Sequence, residues 1–581
     1  MKKLFFWGYE STIRGCGEVA WIRLGPTLRR VVVVTFTALA LTIPACSRRD
    51  NAEKPREQSS QTTHELPTGG TYRKPLGNDP TSLDPARITD VYAVAVANQI
   101  FDGLVEFDAH LNIVPALARS WSASRDGLVW TFNLREGIQF HNGREMIAND
   151  VVYSLSRLLD PAVGSPRSWF LDKVMGASAF QDGTAKVLEG IKVIDRYTVQ
   201  IRLSEPFSPF ISILGLPHTS VIPREEVERL GANFATSPVG TGPFRFVRWE
   251  RGREIVLEAN EHYFRKRPPL DRVRFIIFPG LAAREGLAAR EIVQAFEQEE
   301  LEDAPLPAER YKEILEEGKY KVVRKPTLGL LLLGFNTQRP PFDTLAIRQA
   351  FNYAVDKDRI NREIRDNRFV IARGILPPGM PGYNPEVQGD SYNPGKAKEL
   401  LAQAGHPGGV GLTPVTLISN MKSEVARQEH RAVQQDLASL SIQVELHEVD
   451  DWPTFQQMLR RGDAQIFRYG WYADYPDPDN FLFPLFHSQS PTNFFQYHNP
   501  EVDRLLEEAR RETDDLRRVK LYRQAEQLIL NDSPAVMLLH YTYERLFQPY
   551  VEGIEVNALG EPYIPMSKIR LKPVGQQRAG K

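Results

Sequence analysis

Cysteine is nearly absent. The 581 residues hold two, Cys16 and Cys46, which excludes a disulfide framework and any cysteine-rich metal site. Histidine is sparse and scattered, eleven in all, with no His-Glu-x-x-His pair, no Gly-x-Ser-x-Gly elbow and no phosphate loop. No catalytic residue is therefore assigned. Gly408-Gly409-Val410-Gly411 lacks the helix-opening glycine of a dinucleotide fingerprint. Asp474, Asp477 and Asp479 are separated by prolines and lack the distal Glu of a calcium loop. No cofactor or metal is expected. An excess of one charge is missing too: 72 Lys and Arg face 73 Asp and Glu, so no global field draws nucleic acid or an anionic membrane. No fixed-period repeat appears.

The long apolar run of a membrane span is likewise lacking. Val31 to Ile43 is too short to cross a bilayer, but it follows Arg23, Arg29 and Arg30, the order of a secretory signal. Ile43-Pro44-Ala45-Cys46 resembles a lipobox, whose cysteine is acylated and becomes the new N-terminus. Pro44 departs from the small or β-branched residue usual there, and ordinary signal-peptidase cleavage nearby is the alternative. The charged region before the run is long, as it would be if translation started downstream of Met1. Residues 1–46 are thus expected to be a lipoprotein signal peptide. Residues 47–70, polar and without apolar periodicity, read as a tether reaching on the order of 25 Å from the membrane.

From Tyr72 onward the chain has the patterning of a large folded protein, long enough for several cores. Asp84-Pro85 and the apolar stretch Tyr92 to Leu104 predict a turn, a helix and a glycine stop. Trp130 to Leu134 alternates at period two, and Gly137 to Gly143 predicts the turn of a hairpin. Asn149 to Leu159 has helical spacing, Tyr197 to Leu203 alternates as a strand, and Pro238 to Phe244 is a rigid turn feeding a strand over 245–249. Glu297 to Asp303 reads as a solvated helix end. Leu328 to Phe335 predicts a strand buried on both faces, followed by a helix capped by Asp343. Asn499-Pro500 opens another helix, and an amphipathic one follows through Ile529. Strands alternating with helices predict an α/β architecture.

The most informative stretch is Arg468-Tyr-Gly-Trp471-Tyr-Ala-Asp474-Tyr-Pro-Asp-Pro-Asp-Asn-Phe481. One acidic side chain lies in an aromatic, proline-stiffened loop at a strand end, where α/β proteins place ligands. A carboxylate among Trp471, Tyr472 and Tyr475 persists as a charge only beside a cation or hydrogen-bond donors, and a ligand ammonium could supply the cation. The plain alternative is a turn aspartate that shapes its own loop.

Trp471-Tyr-Ala-Asp474-Tyr resembles the loop that holds the peptide α-amino group in oligopeptide- and dipeptide-binding proteins of ABC importers, solute-binding protein family 5. Phe140-His-Asn-Gly143, Gly240-Thr-Gly-Pro-Phe244, Gly334-Phe-Asn-Thr337 and Leu376-Pro-Pro-Gly-Met-Pro-Gly-Tyr-Asn384 are similar to further family segments, in the family's order from about 71 to 571. The resemblance implies a two-lobed periplasmic-binding-protein type II fold over 71–575. Lobe I would comprise about 67–112, 204–321 and 541–575, a small inserted domain about 113–203, and lobe II about 322–540. It implies Asp474 as partner of the ligand ammonium and Trp471 as a pocket wall, with a core tryptophan as the alternative. Arg468, beside Tyr469, would lie near a ligand carboxylate unless it is a paired arginine on an interior strand. Thr89 and Asp90 would touch the amino end, and Lys422 or Arg427 would meet the carboxyl end.

The expected function is that of a monomeric, lipid-anchored, extracytoplasmic protein that captures peptides between its lobes and delivers them to an ABC permease and ATPase complex. A nickel chelate, glutathione or an oligosaccharide is the alternative cargo. A periplasmic hydrolase or peptide chaperone is the rival from another class.

Overall fold

The computed structural model describes residues 69–278, 287–387 and 389–573. The expected signal peptide, Cys46 and all but the last two tether residues lie outside the described residues.

Three larger sheets organise the chain. The first orders Thr71–Leu76, Arg272–Ile277, Glu254–Ala259 and Phe244–Glu250 side by side, the first pair parallel and the others antiparallel. Helix Val91–Ile100 packs its Ala93, Val96 and Ile100 into that sheet's core. The second is an antiparallel sheet of Ala118–Ala123, Val129–Leu134, Thr198–Arg202 and Ile191–Asp195, with helix Ala148–Leu159 contributing Val151, Leu155 and Leu158 to its core. The third has seven strands, with Lys321–Phe335 and Ala535–Phe547 at its centre. Leu328 to Phe335 is buried throughout. Helix Leu345–Ala354 packs beside this strand through Phe351, and Phe335 and Phe342 stack with centroids 4.6 Å apart. Each such buried ring contributes about 1.5–3 kcal/mol.

The two central strands also pair irregularly. They pair from Lys321–Phe547 to Gly334–Ala535, but the register shifts between Pro326 and Leu330 and again between Leu331 and Leu332; the first shift leaves the wider gap. Within that gap the Leu328 amide donates to the Ala558 carbonyl, and the Leu328 carbonyl accepts from the Ala473 amide. A ladder interrupted in this way can bend at the gap at low cost, because few strand-pair hydrogen bonds must deform.

Two segments similar to family motifs meet in space. The His141 amide donates to the Gly240 carbonyl, the Gly240 amide donates to His141 Nδ1 at 3.3 Å, and His141 Nε2 donates to the Gly242 carbonyl at 3.0 Å. Glycine is required in this turn: a Cβ on Gly240 would lie 2.2 Å from the Ile100 carbonyl oxygen, and one on Gly242 2.4 Å from the Ile100 carbonyl carbon.

Several local expectations differ from the structure. Val129–Leu134 takes as hairpin partner the upstream Ala118–Ala123, because the Ser124 to Gly127 turn is shorter than any route through Gly143. Phe140 to Gly143 closes its own tight turn instead. The residue capping Leu345–Ala354 is Thr344, one beyond Asp343. The acidic run ends buried: Glu302 and Asp303 are inaccessible and neutralised by Arg73, Lys74 and Arg545. Sequence-distant cations made that burial invisible to local charge reading.

Candidate functional site: a cleft around Asp474

A cleft of about 750 Å³ opens between the parts of the fold. The first sheet supplies Pro75 and Leu76, the start of helix Val91–Ile100 supplies Val91, Tyr92 and Val94, and Thr89 and Asp90 precede it. The seven-stranded sheet supplies Thr327, Leu328, Tyr472 and Asp474, with Tyr541, Tyr543 and Arg545 from one face of strand Ala535–Phe547. Glu561 and Tyr563 close the wall, and Arg167 and His218 come from the region of the second sheet. The volume suits a small organic ligand enclosed on most sides.

Asp474 lies just past strand Ile466–Tyr472, with Ala473 between them. Its amide donates to Asn480 Oδ1 at 2.8 Å, and the Asn480 carbonyl accepts from Trp471 Nε1 at 2.7 Å. The indole therefore fastens the loop. The Asp474 carboxylate accepts a hydrogen bond from Arg167 Nη1 at 3.1 Å, the side-chain cation beside it, with 31% of the Asp474 side chain still exposed. Burial raises the Asp474 carboxyl above its ordinary range, and the Arg167 charge and the Arg167 and Asn480 hydrogen bonds pull it partly back. Burial, and next the Asp474 charge, push the Tyr563 phenol well up, so it stays a neutral donor. Burial and the Arg167 charge push His218 down to about 3.

The rest of the wall is aromatic and ionic. Tyr472 stacks on Tyr541 with centroids 4.7 Å apart and planes 17° apart, and Phe369 meets Tyr541 edge-on. At the other end Glu561 pairs with Arg545 at 2.7 Å and Lys74 at 3.1 Å, and both cations also hold the buried Asp303.

The residues singled out in the sequence divide into those on the cleft and those away from it. Asp474, Thr89 and Asp90 line it. Asp90 is already engaged: Oδ1 caps the helix through the Ala93 amide at 2.8 Å, and Oδ2 accepts from the Thr81 hydroxyl at 2.6 Å. Thr89 Oγ1 shares a hydrogen bond with Thr81 at 2.9 Å. Tyr469 lies in the core of the seven-stranded sheet with the partly buried Trp471 stacked against it, and neither lines the cleft. Arg468 is buried and 3.6 Å from Glu429, the interior pairing named as its alternative. Lys422 pairs with Asp450 and Arg427 with Glu448, also away from the cleft lining. Arg167, His218, Glu561 and Tyr563 were missed. Tyr541-Thr-Tyr543-Glu-Arg545 does carry a signal, since alternation on a strand puts its two tyrosines and arginine on one face; the polar turn holding Arg167 carries none. Among the described residues no three or more His, Cys, Asp or Glu side chains gather as a metal site.

Two lobes of α/β structure with a ligand-sized cleft between them, and an incompletely satisfied carboxylate on its wall, define a solute-binding protein of the two-lobed periplasmic type. The chain belongs to the bacterial extracellular solute-binding proteins, family 5, whose model matches residues 112–493. It is 30% identical to heme-binding protein A of Haemophilus influenzae over 91% of this chain and 97% of that protein. It is 29% identical to the dipeptide-binding protein of Escherichia coli K12, over 84% of this chain and 91% of that protein. The unliganded open form of the periplasmic murein tripeptide-binding protein MppA superposes with a TM-score of 0.77 at 26% identity, covering 87% of this chain and 98% of that one. Members of this family are extracytoplasmic solute-binding proteins, and among the described residues no helix is long and apolar enough to cross a membrane.

Proposed function

We propose that the protein captures peptides with a free amino terminus in the cleft and delivers them to an ABC permease and its ATPase in the membrane. The observation that carries this reading is Asp474, a partly desolvated carboxylate on the cleft wall with a single side-chain cation beside it. A ligand ammonium can complete its coordination at the oxygen that Arg167 leaves open. The peptide relatives support the cargo class. Closure would bend the two central strands at the register break near Leu328, beside the ligand. The main chain of an extended peptide would pair with backbone groups of the lobes, a mode tolerant of side-chain identity. No chemistry on the ligand is involved. Acylation at Cys46 would hold the protein at the membrane, and Cys46→Ser should release it; a variant that stays in the membrane fraction after a high-salt wash contradicts the anchor.

Native mass spectrometry of the purified protein tests the cargo. Peptide masses that exchange for added free-amine peptides are expected. A resident non-peptide ligand that such peptides fail to displace contradicts the reading.

Arg167 favours a second reading. Its guanidinium makes no hydrogen bond to a described residue other than Asp474, so the pair offers an anion site and a cation site side by side. A ligand with a free amine and a carboxylate on one carbon, as in the γ-linked glutamate of glutathione, would satisfy both. Competition between α-Glu-Ala and γ-Glu-Ala distinguishes the readings: a preference for the γ-linked form that disappears in Arg167→Ala supports the second.

A further inference from the structure

A second cavity, of about 220 Å³, shares no lining residue with the cleft. Its walls include Tyr353 at the end of helix Leu345–Ala354, Lys357 just beyond it, and Arg373, Asp390 and Ser533. Lys357 is 5% exposed. A charged lysine is rarely buried unless paired, because the ammonium loses its hydration. Elsewhere the molecule obeys that rule: Lys74 has Asp303 and Glu561, and Arg348 donates to the Phe342 and Asp532 carbonyls. Lys357 does not. Among the described residues its ammonium has no ion-pair or hydrogen-bond partner, and neither has the exposed Arg373 guanidinium. Asp390 shares the cavity but stands beyond ion-pair distance from both.

The cavity thus holds two cations against one carboxylate. Burial pushes Lys357 down to about 8, with Asp390 and Asp358 opposing and Arg373 assisting, while burial raises the carboxyl of Asp390, the acidic side chain among the described lining residues, and so weakens its negative charge. A bound anion would restore to Lys357 the stabilisation of its charge that burial removes. The space accommodates a small oxyanion together with a few waters, at roughly 30 Å³ per water.

We propose that this cavity is an anion-binding site for a small oxyanion, phosphate or carboxylate, held between the Lys357 ammonium and the Arg373 guanidinium. It is separate from the solute cleft. Ala535 and Met537 line it, and the same strand continues to Tyr541 and Tyr543 in the cleft.

Calorimetric titration of the full chain with inorganic phosphate, in a buffer free of other oxyanions, tests the site. Saturable one-site binding is expected, about tenfold or more weaker in Lys357→Met and several-fold weaker in Arg373→Gln. Asp390→Asn removes the competing carboxylate and should bind more tightly than wild type. A parallel titration with acetate separates a phosphate site from a carboxylate site. Absence of saturable binding by either anion overturns the proposal. So does binding unchanged in both Arg373→Gln, at an exposed side chain, and Asp390→Asn, a near-isosteric change, which decide the question even if Lys357→Met fails to fold.

Discussion

Asp474 and Asp477 lie three residues apart in one loop and are treated in opposite ways by the fold. Asp477 is buried, ion-paired to Arg518 from helix Asp515–Asp532, and accepts the Asp479 amide at 2.9 Å. Asp479 is tied in turn to Arg510 at 3.0 Å and to the Tyr475 hydroxyl at 2.8 Å. Asp474 takes one arginine contact and keeps about a third of its side chain open to the cleft. The saturated aspartates build the loop, and the proposed function gives the unsaturated one to the ligand. Composition alone cannot separate these roles, since all three sit in the same Pro-Asp-rich run.

Breaking the saturated partner should have the largest effect on stability. Asp477→Ala leaves the Arg518 guanidinium buried and unpaired, which typically costs about 3–5 kcal/mol. Asp474→Ala removes a contact screened by solvent and should change stability by less than about 1 kcal/mol. Urea denaturation of both variants checks this difference, and equal losses would erase the distinction.

Histidines sharpen the same contrast. His141 is saturated: its Nδ1 accepts from the Gly240 amide while Nε2 donates to the Gly242 carbonyl, an arrangement that only the neutral ring can make. Burial depresses it to about 4 from the ordinary 6.5. Below pH 6.5 the unfolded chain therefore takes up a proton that the folded chain refuses until about pH 4. Stability is lost across that window, at up to about 1.4 kcal/mol per pH unit. Raised carboxyls such as Asp102, at about 6, act in the opposite sense, so the readout is a difference: wild type should lose more stability than His141→Gln between pH 6.5 and 4. His218 lines the cleft with Nδ1 unpartnered, and His218→Gln should alter ligand binding more than it alters stability.

The smallest effect concerns Arg167. It already pairs with one oxygen of the carboxylate that a ligand ammonium would use, so Arg167→Ala should tighten binding of ordinary α-linked peptides by a few-fold, consistent with the value of a part-exposed ion pair. Weaker binding of those peptides would make Arg167 a direct ligand contact. A related pH effect follows from the raised Asp474 carboxyl. Because the ammonium needs the ionised form, affinity for free-amine peptides should begin to fall, as pH is lowered, above the pH where an ordinary aspartate titrates.

Much of the fold was legible because its signals are local. Period-two alternation marked Trp130 to Leu134, helical spacing marked 149–159, and an unbroken apolar run marked Leu328 to Phe335. Asp474 stood out because a lone carboxylate among aromatics needs a partner. The partner itself was not legible: Arg167 is 307 residues away and sits in an unremarkable polar turn. The burial of Glu302 and Asp303 and the choice of hairpin partner for Val129–Leu134 were hidden for the same reason, since both depend on chain segments brought together only by folding. Asn480 shows an intermediate case. It lies within the quoted loop, but its role as the clasp between Trp471 and Asp474 depends on backbone geometry that the residue types do not state.

The central claim is that Asp474 receives the ligand's α-ammonium, and a two-by-two calorimetric cycle tests it most directly. Asp474→Ala is crossed with N-acetylation of the same peptide, which removes the cation from the other side. Each single change should weaken binding by about 2–5 kcal/mol, roughly 30- to several thousand-fold. Together they should cost far less than the sum, because each has already removed the interaction that the other would break. Wild-type affinity for free-amine peptides in Asp474→Ala, or two losses that simply add, would make Asp474 one more loop-shaping aspartate like Asp477.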